Sequence, residues 1–336
     1  MRAAVYRRRG VLEIDTIPVP DPGPDEVLVS VEHCGVCGTD LHAVLDGWGI
    51  PDTIGGHEYT GTVVAVGSAV NGWAPGDPAV GGPTAPCGEC DFCHDGRTSL
   101  CENRAPMGET EFQGAFAEFV VARAAELLHP PDGLPLRHAA LAEPLAVALH
   151  ALDRAPTDPA ARVLVSGVGP IGALIIAVLA ARGVSDIVAS EPSPARRDLA
   201  ARLGASVCEP DDFSTPASPS RVVDDAFDVA FECSGKAPAV EACLGQLGTT
   251  GTLVIVGAGL DVPSLDPNRI LLNELVVTGS CASGPPDFEA ALELMASGCL
   301  PLDDLVESAD VPLDRMLDAL KDLQAGTIPG KVLITP

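Results

Sequence analysis

The chain has 336 residues, enough for two ordinary domains, and 46% of them are hydrophobic, which provides for a sizeable core and excludes a disordered chain. Its formal charge of −27 sets 47 acidic residues against 20 basic ones, three of them lysines, so a nucleic acid would be repelled over most of the surface. The basic start MRAAVYRRRG runs into VLEIDTIPVPDPGPDE with no apolar h-region, which points to the cytoplasm, where the eleven cysteines would serve metals more than disulfides.

From the N-terminus, alternation in VLVSVEH (27 to 33), GTVVAVGSAV (61 to 70) and FAEFVVA (116 to 122), set between Gly and Pro clusters, predicts an irregular, strand-rich first portion. Within it VEHCGVCGTDLH (31 to 42) holds Cys34 and Cys37 at the spacing of a redox pair or a metal knuckle, and spacing alone does not choose between them. Gly-His57-Glu58 and Glu143-Pro144 then add an imidazole and two carboxylates. Thiolate, imidazole and carboxylate from separate segments suit a catalytic zinc, which needs three protein ligands and one position for water or substrate. Adding Cys34 to Cys37, His57 and a glutamate would fill all four positions.

Further on, PCGECDFCHDGRTSLC places Cys87, Cys90, Cys93 and Cys101 in a C-x2-C-x2-C-x7-C array. Four thiolates in one short loop can close a tetrahedral shell, which suits a structural zinc; an iron–sulfur cluster and a disulfide loop are the alternatives.

Helical periodicity begins near residue 137 in LRHAALAEPLAVALHAL, and the Pro/Asp-rich RAPTDPAA (154 to 161) marks a domain boundary. Six β-type runs follow, beginning near residues 163, 186, 205, 227, 252 and 274, most of them separated by helix-like stretches. That alternation predicts a parallel, doubly wound sheet. VLVSGVGPIGALIIAVLAA (163 to 181) approaches the length of a membrane span but carries glycines and a proline, and reads as strand, turn and buried helix.

Its Gly167, Gly169 and Gly172, with Pro170 and Ile171 between them, form G-x-G-x-x-G at a strand-to-helix turn, a pattern that brings a pyrophosphate onto a helix N-terminus. Glu191 ends the next strand, where a carboxylate can take the ribose hydroxyls and favour NAD over NADP. Arg196 and Gly257 complete the expected cofactor-binding set. The tail carries two amphipathic helical stretches, DFEAALELMASG and LDRMLDALKDLQAG, and a closing strand KVLIT, and periodicity does not say which portion it joins.

GVCGTDLH, GGHEYTGTVVAVG, the four-cysteine lobe, GAFAEFVV, LAEPLAVALHAL, SGVGPIG and GKVLI, in that order over nearly the whole chain, resemble the zinc-dependent medium-chain dehydrogenase/reductase family. Glu143 and EPLAVALH are similar to its sorbitol and 2,3-butanediol dehydrogenase branch, with L-threonine dehydrogenases as near neighbours. The resemblance implies an α/β protein in two parts. Residues 1–154 would be a GroES-like, β-rich catalytic domain with a structural zinc lobe at about 85–103. Residues 155–284 would be a Rossmann domain with a doubly wound, parallel six-stranded sheet, and 285–336 would return to the catalytic domain.

It further implies two zinc ions per subunit. The catalytic ion would be held by Cys37, His57 and Glu58 or Glu143, one glutamate acting through water, and the structural ion by Cys87, Cys90, Cys93 and Cys101. Cys34 would be a non-ligand. Thr39 would pass the alcohol proton over the nicotinamide ribose to His42. Asp40 would orient its neighbours, and Thr39-Asp40 also reads as a helix cap. The expected activity is NAD- and zinc-dependent oxidation of a small secondary alcohol of the polyol, vicinal diol or cyclitol type by a homodimer or homotetramer, with no membrane partner. The alternatives are oxidation of a 2-amino-3-hydroxy acid of the threonine type, and a non-catalytic zinc- and nucleotide-binding relative that should have lost Cys37, His57 or Thr39.

His33, His94, His129, His138 and His150 lack metal-ligand company and read as surface or satisfied core groups. Cys208, Cys233, Cys243, Cys281 and Cys299 lie in or beside apolar runs and read as small hydrophobes. Trp48, Glu109 and Phe112 fall between motifs, as pocket-lining residues would.

Overall fold

The computed structural model describes residues 1–81, 86–103 and 114–336. The expectations for Glu109 and Phe112 therefore lie outside the described residues.

All six β-type runs of the second portion form strands of one parallel sheet: Arg162–Ser166, Asp186–Ser190, Ser206–Cys208, Phe227–Glu232, Leu247–Ile255 and Val276–Gly279. Taken across the sheet, the third strand comes first, then the second, first, fourth, fifth and sixth, the order of a dinucleotide-binding Rossmann fold. The order reverses between the first and fourth strands, and ligands bind at the carboxyl ends of the strands at such a switch point. Buried side chains of Arg162–Ser166 and of helix Pro170–Ala181 meet in the main core, which explains why that run is apolar throughout. Among the described residues no helix is long and apolar enough to cross a membrane.

The first portion is built on strand Glu26–Gly35, which pairs antiparallel with Glu58–Val66 on one side and with Phe119–Arg123 and Leu333–Thr335 on the other. Its register sets Gly35 opposite Glu58 and Cys34 opposite Tyr59. A second, three-stranded sheet joins Arg2–Arg8 to Val11–Thr16 and Thr53–Ile54. Helix Ala142–Leu152 is buried along almost its whole length and packs against Pro170–Ala181 and Pro285–Ala296.

The tail divides between the two cores. Phe288, Ala291, Leu292 and Met295 of helix Pro285–Ala296 join the core beneath the six-stranded sheet. Leu313, Met316, Leu320 and Leu323, around helix Met316–Gln324, join the core of the first portion together with Ile334.

Periodicity before residue 137 leaves out one element near the chemistry. A single α-turn, Gly38–Leu41, continues into a five-residue π-turn, His42–Asp46. Elements of this length are too short to show an amphipathic repeat.

Candidate active site

The short helix starts at Cys37, whose backbone N–H donates to Asp40 Oδ2 at 2.9 Å, so Asp40 reaches back from the first turn as in a capping box. The cap reading of Thr39-Asp40 holds for Asp40. Thr39 instead turns its Oγ1 to within 3.6 Å of Cys37 Sγ. His57 and Glu58 arrive at the start of strand Glu58–Val66, and the ligand atoms of Cys37, His57 and Glu58 lie within 4.8 Å of one another. Glu143, in the first turn of helix Ala142–Leu152, lies outside that close group but is buried beside it.

Cys34 is fully buried in the apolar core of the first portion, and burial pushes its thiol well above the ordinary range. A protonated, packed thiol is no ligand and no nucleophile.

One partner of this site went unassigned in the sequence. Lys331 is 1% exposed and donates from Nζ to Glu58 Oε1 at 2.7 Å, to Glu58 Oε2 at 2.5 Å and to the Val36 carbonyl at 3.0 Å. It is one of three lysines in the chain, and it stands in the GKVLI motif. That rarity is the signal that could have marked it. A Cβ on Gly35 would meet Glu58 Oε2 at 2.2 Å, so the glycine opposite Glu58 is what admits the carboxylate.

The electrostatics follow from burial. Burial pushes Glu143 up to about 7, with His57 pulling against it and Glu58 adding to the rise. Asp40 is raised by burial too. Burial lowers His57, but its hydrogen bond to Cys37 and the charges of Cys37, Glu143 and Asp40 outweigh that and hold it well above the ordinary imidazole range. Lys331 is likewise lowered by burial and raised by more, chiefly through the charge of Glu58. Three buried carboxylates and a thiol thus face one ammonium and one imidazole. A divalent cation would offset the remaining negative charge, and sulfur, nitrogen and oxygen donors within 4.8 Å of one another are a donor set that suits zinc.

The four-cysteine lobe is a second such group, its sulfurs also within 4.8 Å of one another. Cys87 Sγ and Cys93 Sγ are 3.9 Å apart, too far for a disulfide, and all eleven cysteines are free thiols. Backbone N–H groups of Glu89 and Cys90 donate to Cys87 Sγ at 3.4 Å and pull that thiol down to about 6, while burial pushes Cys93 up to about 12. The lobe cannot ionise all four sulfurs without a cation among them, which fits a closed metal shell.

At the glycine turn, Gly167 is left-handed (φ +89°) and a Cβ there would meet Ser234; a Cβ on Gly172 would meet the Gly167 carbonyl at 2.0 Å. Gly169, the N-cap of Pro170–Ala181, has open space before it, as close approach of a phosphate requires. Pro170 occupies the first helical position, followed by the half-buried Ile171. The Glu191 carboxylate accepts from Val168 N at 2.8 Å and Ser193 N at 2.9 Å, which ties the turn to the end of the second strand. A carboxylate has further lone pairs free for ribose hydroxyls.

Two of the expected cofactor residues make close contacts within the protein. Arg196 donates to the carbonyls of Leu323 at 2.9 Å and Ile328 at 3.3 Å, so its guanidinium pins the end of the tail helix. Gly257 is packed against the loop of residues 233–235, where a Cβ would meet Gly235 N at 2.2 Å.

Most of the remaining histidines have an acidic or aromatic neighbour. His33, His138 and His150 lie 3.1, 3.0 and 3.3 Å from Asp310, Asp303 and Asp287 of the tail, and His129 stacks on Trp73. His150 also lies 3.4 Å from Ser99 of the cysteine lobe and so ties the lobe to the molecule. Trp48 stacks on His42.

A Rossmann sheet joined to a β-rich portion that carries an open Cys-His-Glu group and a closed four-cysteine group defines a zinc- and nicotinamide-dependent dehydrogenase. Comparison with known proteins makes the family explicit. Residues 23–132 match the alcohol dehydrogenase GroES-like domain and residues 170–297 the zinc-binding dehydrogenase domain. A sorbitol dehydrogenase of Bacillus subtilis is 30% identical over 100% of this chain and 97% of its own length. The solved structure of 2R,3R-butanediol dehydrogenase from Bacillus subtilis superposes with a TM-score of 0.87 at 31% identity, covering 100% of this chain and 99% of that one. A zinc-binding dehydrogenase from Sinorhizobium meliloti 1021, bound to NADP, gives a TM-score of 0.86 at 32% identity over 100% and 99% of the two chains. The chain belongs to the zinc-dependent alcohol dehydrogenase family, in its sorbitol dehydrogenase-like branch, and is an oxidoreductase of secondary alcohols.

Proposed function

We infer that the protein oxidises a secondary alcohol with a neighbouring hydroxyl, of the polyol, vicinal diol or cyclitol type, and passes the hydride to NAD in preference to NADP. The observation that carries this reading is the close trio of half-buried Cys37 and His57 with buried Glu58, backed by Glu143 and Lys331. The names of the relatives support the substrate class, since sorbitol and butanediol both carry adjacent hydroxyls. The NAD preference rests on Glu191, whose charge would repel a 2′-phosphate, and on the engagement of both nearby guanidiniums: Arg196 with the tail, Arg197 with Glu209 and the carbonyls of Glu191 and Pro192.

Cys37 and His57, with Glu58 or Glu143, would hold the catalytic zinc, and Cys87, Cys90, Cys93 and Cys101 the structural ion. Bound there, zinc supplies a Lewis acid for the alcohol oxygen, and NAD supplies the hydride acceptor. Lys331 offsets the charge of Glu58 and fixes where its carboxylate lies. Thr39, beside Cys37, would accept the alcohol proton on its hydroxyl, and His42 would be the residue of this chain that receives it last. Asp40 holds the turn that presents Thr39.

We divide the chain into a catalytic unit, 1–154, a nucleotide-binding unit from 155, and a tail that rejoins the catalytic unit after Val306. A homodimer or homotetramer is supported by exposed apolar side chains, Leu260, Val262, Leu271 and Leu272, together with Val276 on the unpaired edge strand of the six-stranded sheet. The eleven free thiols suit the cytoplasm.

The test is the initial rate of NAD reduction by zinc-loaded protein across vicinal diols, sugar alcohols, cyclitols, simple secondary alcohols and L-threonine. We expect preference for one of the first three groups. Preference for L-threonine would move the protein to the amino-hydroxy acid reading, and silence with zinc and NAD bound would overturn the substrate class.

A further inference from the structure

His42 is not alone at the end of the proposed proton path. The π-turn His42–Asp46 brings Asp46 Oδ2 to 2.7 Å from His42 Nδ1. Gly47 then takes the left-handed conformation (φ +88°) and donates to the His42 carbonyl, which reverses the chain. The reversal lays Trp48 on the imidazole, ring centroids 4.4 Å apart and planes 20° from parallel. One ring nitrogen is thereby engaged and one ring face covered.

We propose that Asp46 is a positioning residue for proton transfer, acting through His42. It rests on the reading of His42 as the end of the proton path. A carboxylate only accepts hydrogen bonds, so its partner nitrogen must carry the proton. Nδ1–H is therefore donated to Asp46, and the lone pair stands on Nε2, where an incoming proton can be received. During alcohol oxidation the substrate hydroxyl proton would leave by way of Thr39 and be received at Nε2, NAD being the hydride acceptor, and the imidazolium would then return the proton to solvent. Asp46 holds the orientation of the ring through that bond, while Trp48 restricts its rotation. An aspartate four residues after the histidine is the sequence signal, and it becomes meaningful only through the turn that closes the pair.

Two measurements on the zinc- and NAD-loaded enzyme test this. In wild-type protein labelled at histidine nitrogen, NMR should report His42 protonated at Nδ1, and Asp46→Ala should lose that preference; His42 protonated at Nε2 in the wild type would overturn the proposal. In steady-state kinetics, Asp46→Ala should lower kcat about tenfold, a fraction of what general acid–base groups contribute, with KM nearly unchanged and with recovery on adding imidazole. His42→Gln should lower kcat at least as far, and the double variant should be no slower than His42→Gln alone. If Asp46→Ala slows the His42→Gln background by its full factor, Asp46 acts on the fold and the proposal fails while the proton path stands. If His42→Gln keeps wild-type kcat, the path itself is misplaced and the proposal falls with it.

Discussion

The two cysteine-bearing sites differ in how their ligands reach one another. In the lobe, Cys87, Cys90, Cys93 and Cys101 come from one short stretch, and the stretch's own N–H groups solvate the sulfurs. In the open Cys-His-Glu site, Cys37, His57, Glu143 and Lys331 come from four separate segments, and the Lys331 contact to Glu58 spans 273 residues. The lobe is a local structure that a metal completes. The open site is a largely buried charge cluster that only the assembled fold can hold together.

Substitutions should separate these behaviours. The largest effect is expected for Cys37→Ala, which should lower kcat/KM by roughly a thousandfold or more, since Lewis-acid activation supplies several kcal/mol. Elemental analysis should then find the lobe metal retained, and an unchanged melting temperature would confirm that the open-site ligand serves chemistry. Loss of both metals would erase the distinction between the sites.

Lys331→Met should come next. It leaves the Glu58 carboxylate buried without its partner, a change that costs about 3–5 kcal/mol in comparable cases. Urea unfolding of metal-free protein reads this directly, and restoration by the second change Glu58→Gln would show that the loss arises from the unpaired charge. If Lys331→Met unfolds at the wild-type midpoint, the pair contributes nothing to the open site.

Cys93→Ser in the lobe should act on stability with little effect on the chemistry. A loss of about 2 kcal/mol would lower the melting temperature by roughly 5 °C, while zinc remains in the open site. A fall in kcat/KM as large as that of Cys37→Ala would break the comparison. The smallest effect is expected at the cofactor: Glu191→Ala should shift the ratio of kcat/KM for NAD over NADP by about tenfold toward NADP, near 1.4 kcal/mol. An unchanged ratio would leave Glu191 with only its hydrogen bonds to Val168 and Ser193.

Much of this was legible before any coordinates. The six parallel strands could be read because buried strands are short apolar runs between turn signals, and Gly167, Gly169 and Gly172 because their spacing is local. Arg196 could not be assigned that way. Its position after Glu191 suggests the cofactor, and spacing does not reveal that its guanidinium also reaches the carbonyls of Leu323 and Ile328, more than 120 residues along the chain. The turn holding Thr39, His42 and Asp46 is shorter than the window in which periodicity can be counted, so the aspartate beside His42 had no visible partner.

The sequence by itself determined the class of sheet, the glycine turn, the four-cysteine lobe and the set of residue types available to the open metal site. All of these depend on neighbours along the chain, where spacing converts directly into geometry. Only the tertiary structure decided that Cys34 is buried and protonated, that Glu58 lies against Lys331, that Arg196 serves the tail, and that Asp46 and Trp48 flank His42. Those outcomes depend on which distant or briefly turned segments exclude water from one another, and burial sets both the charge state and the partner of each group.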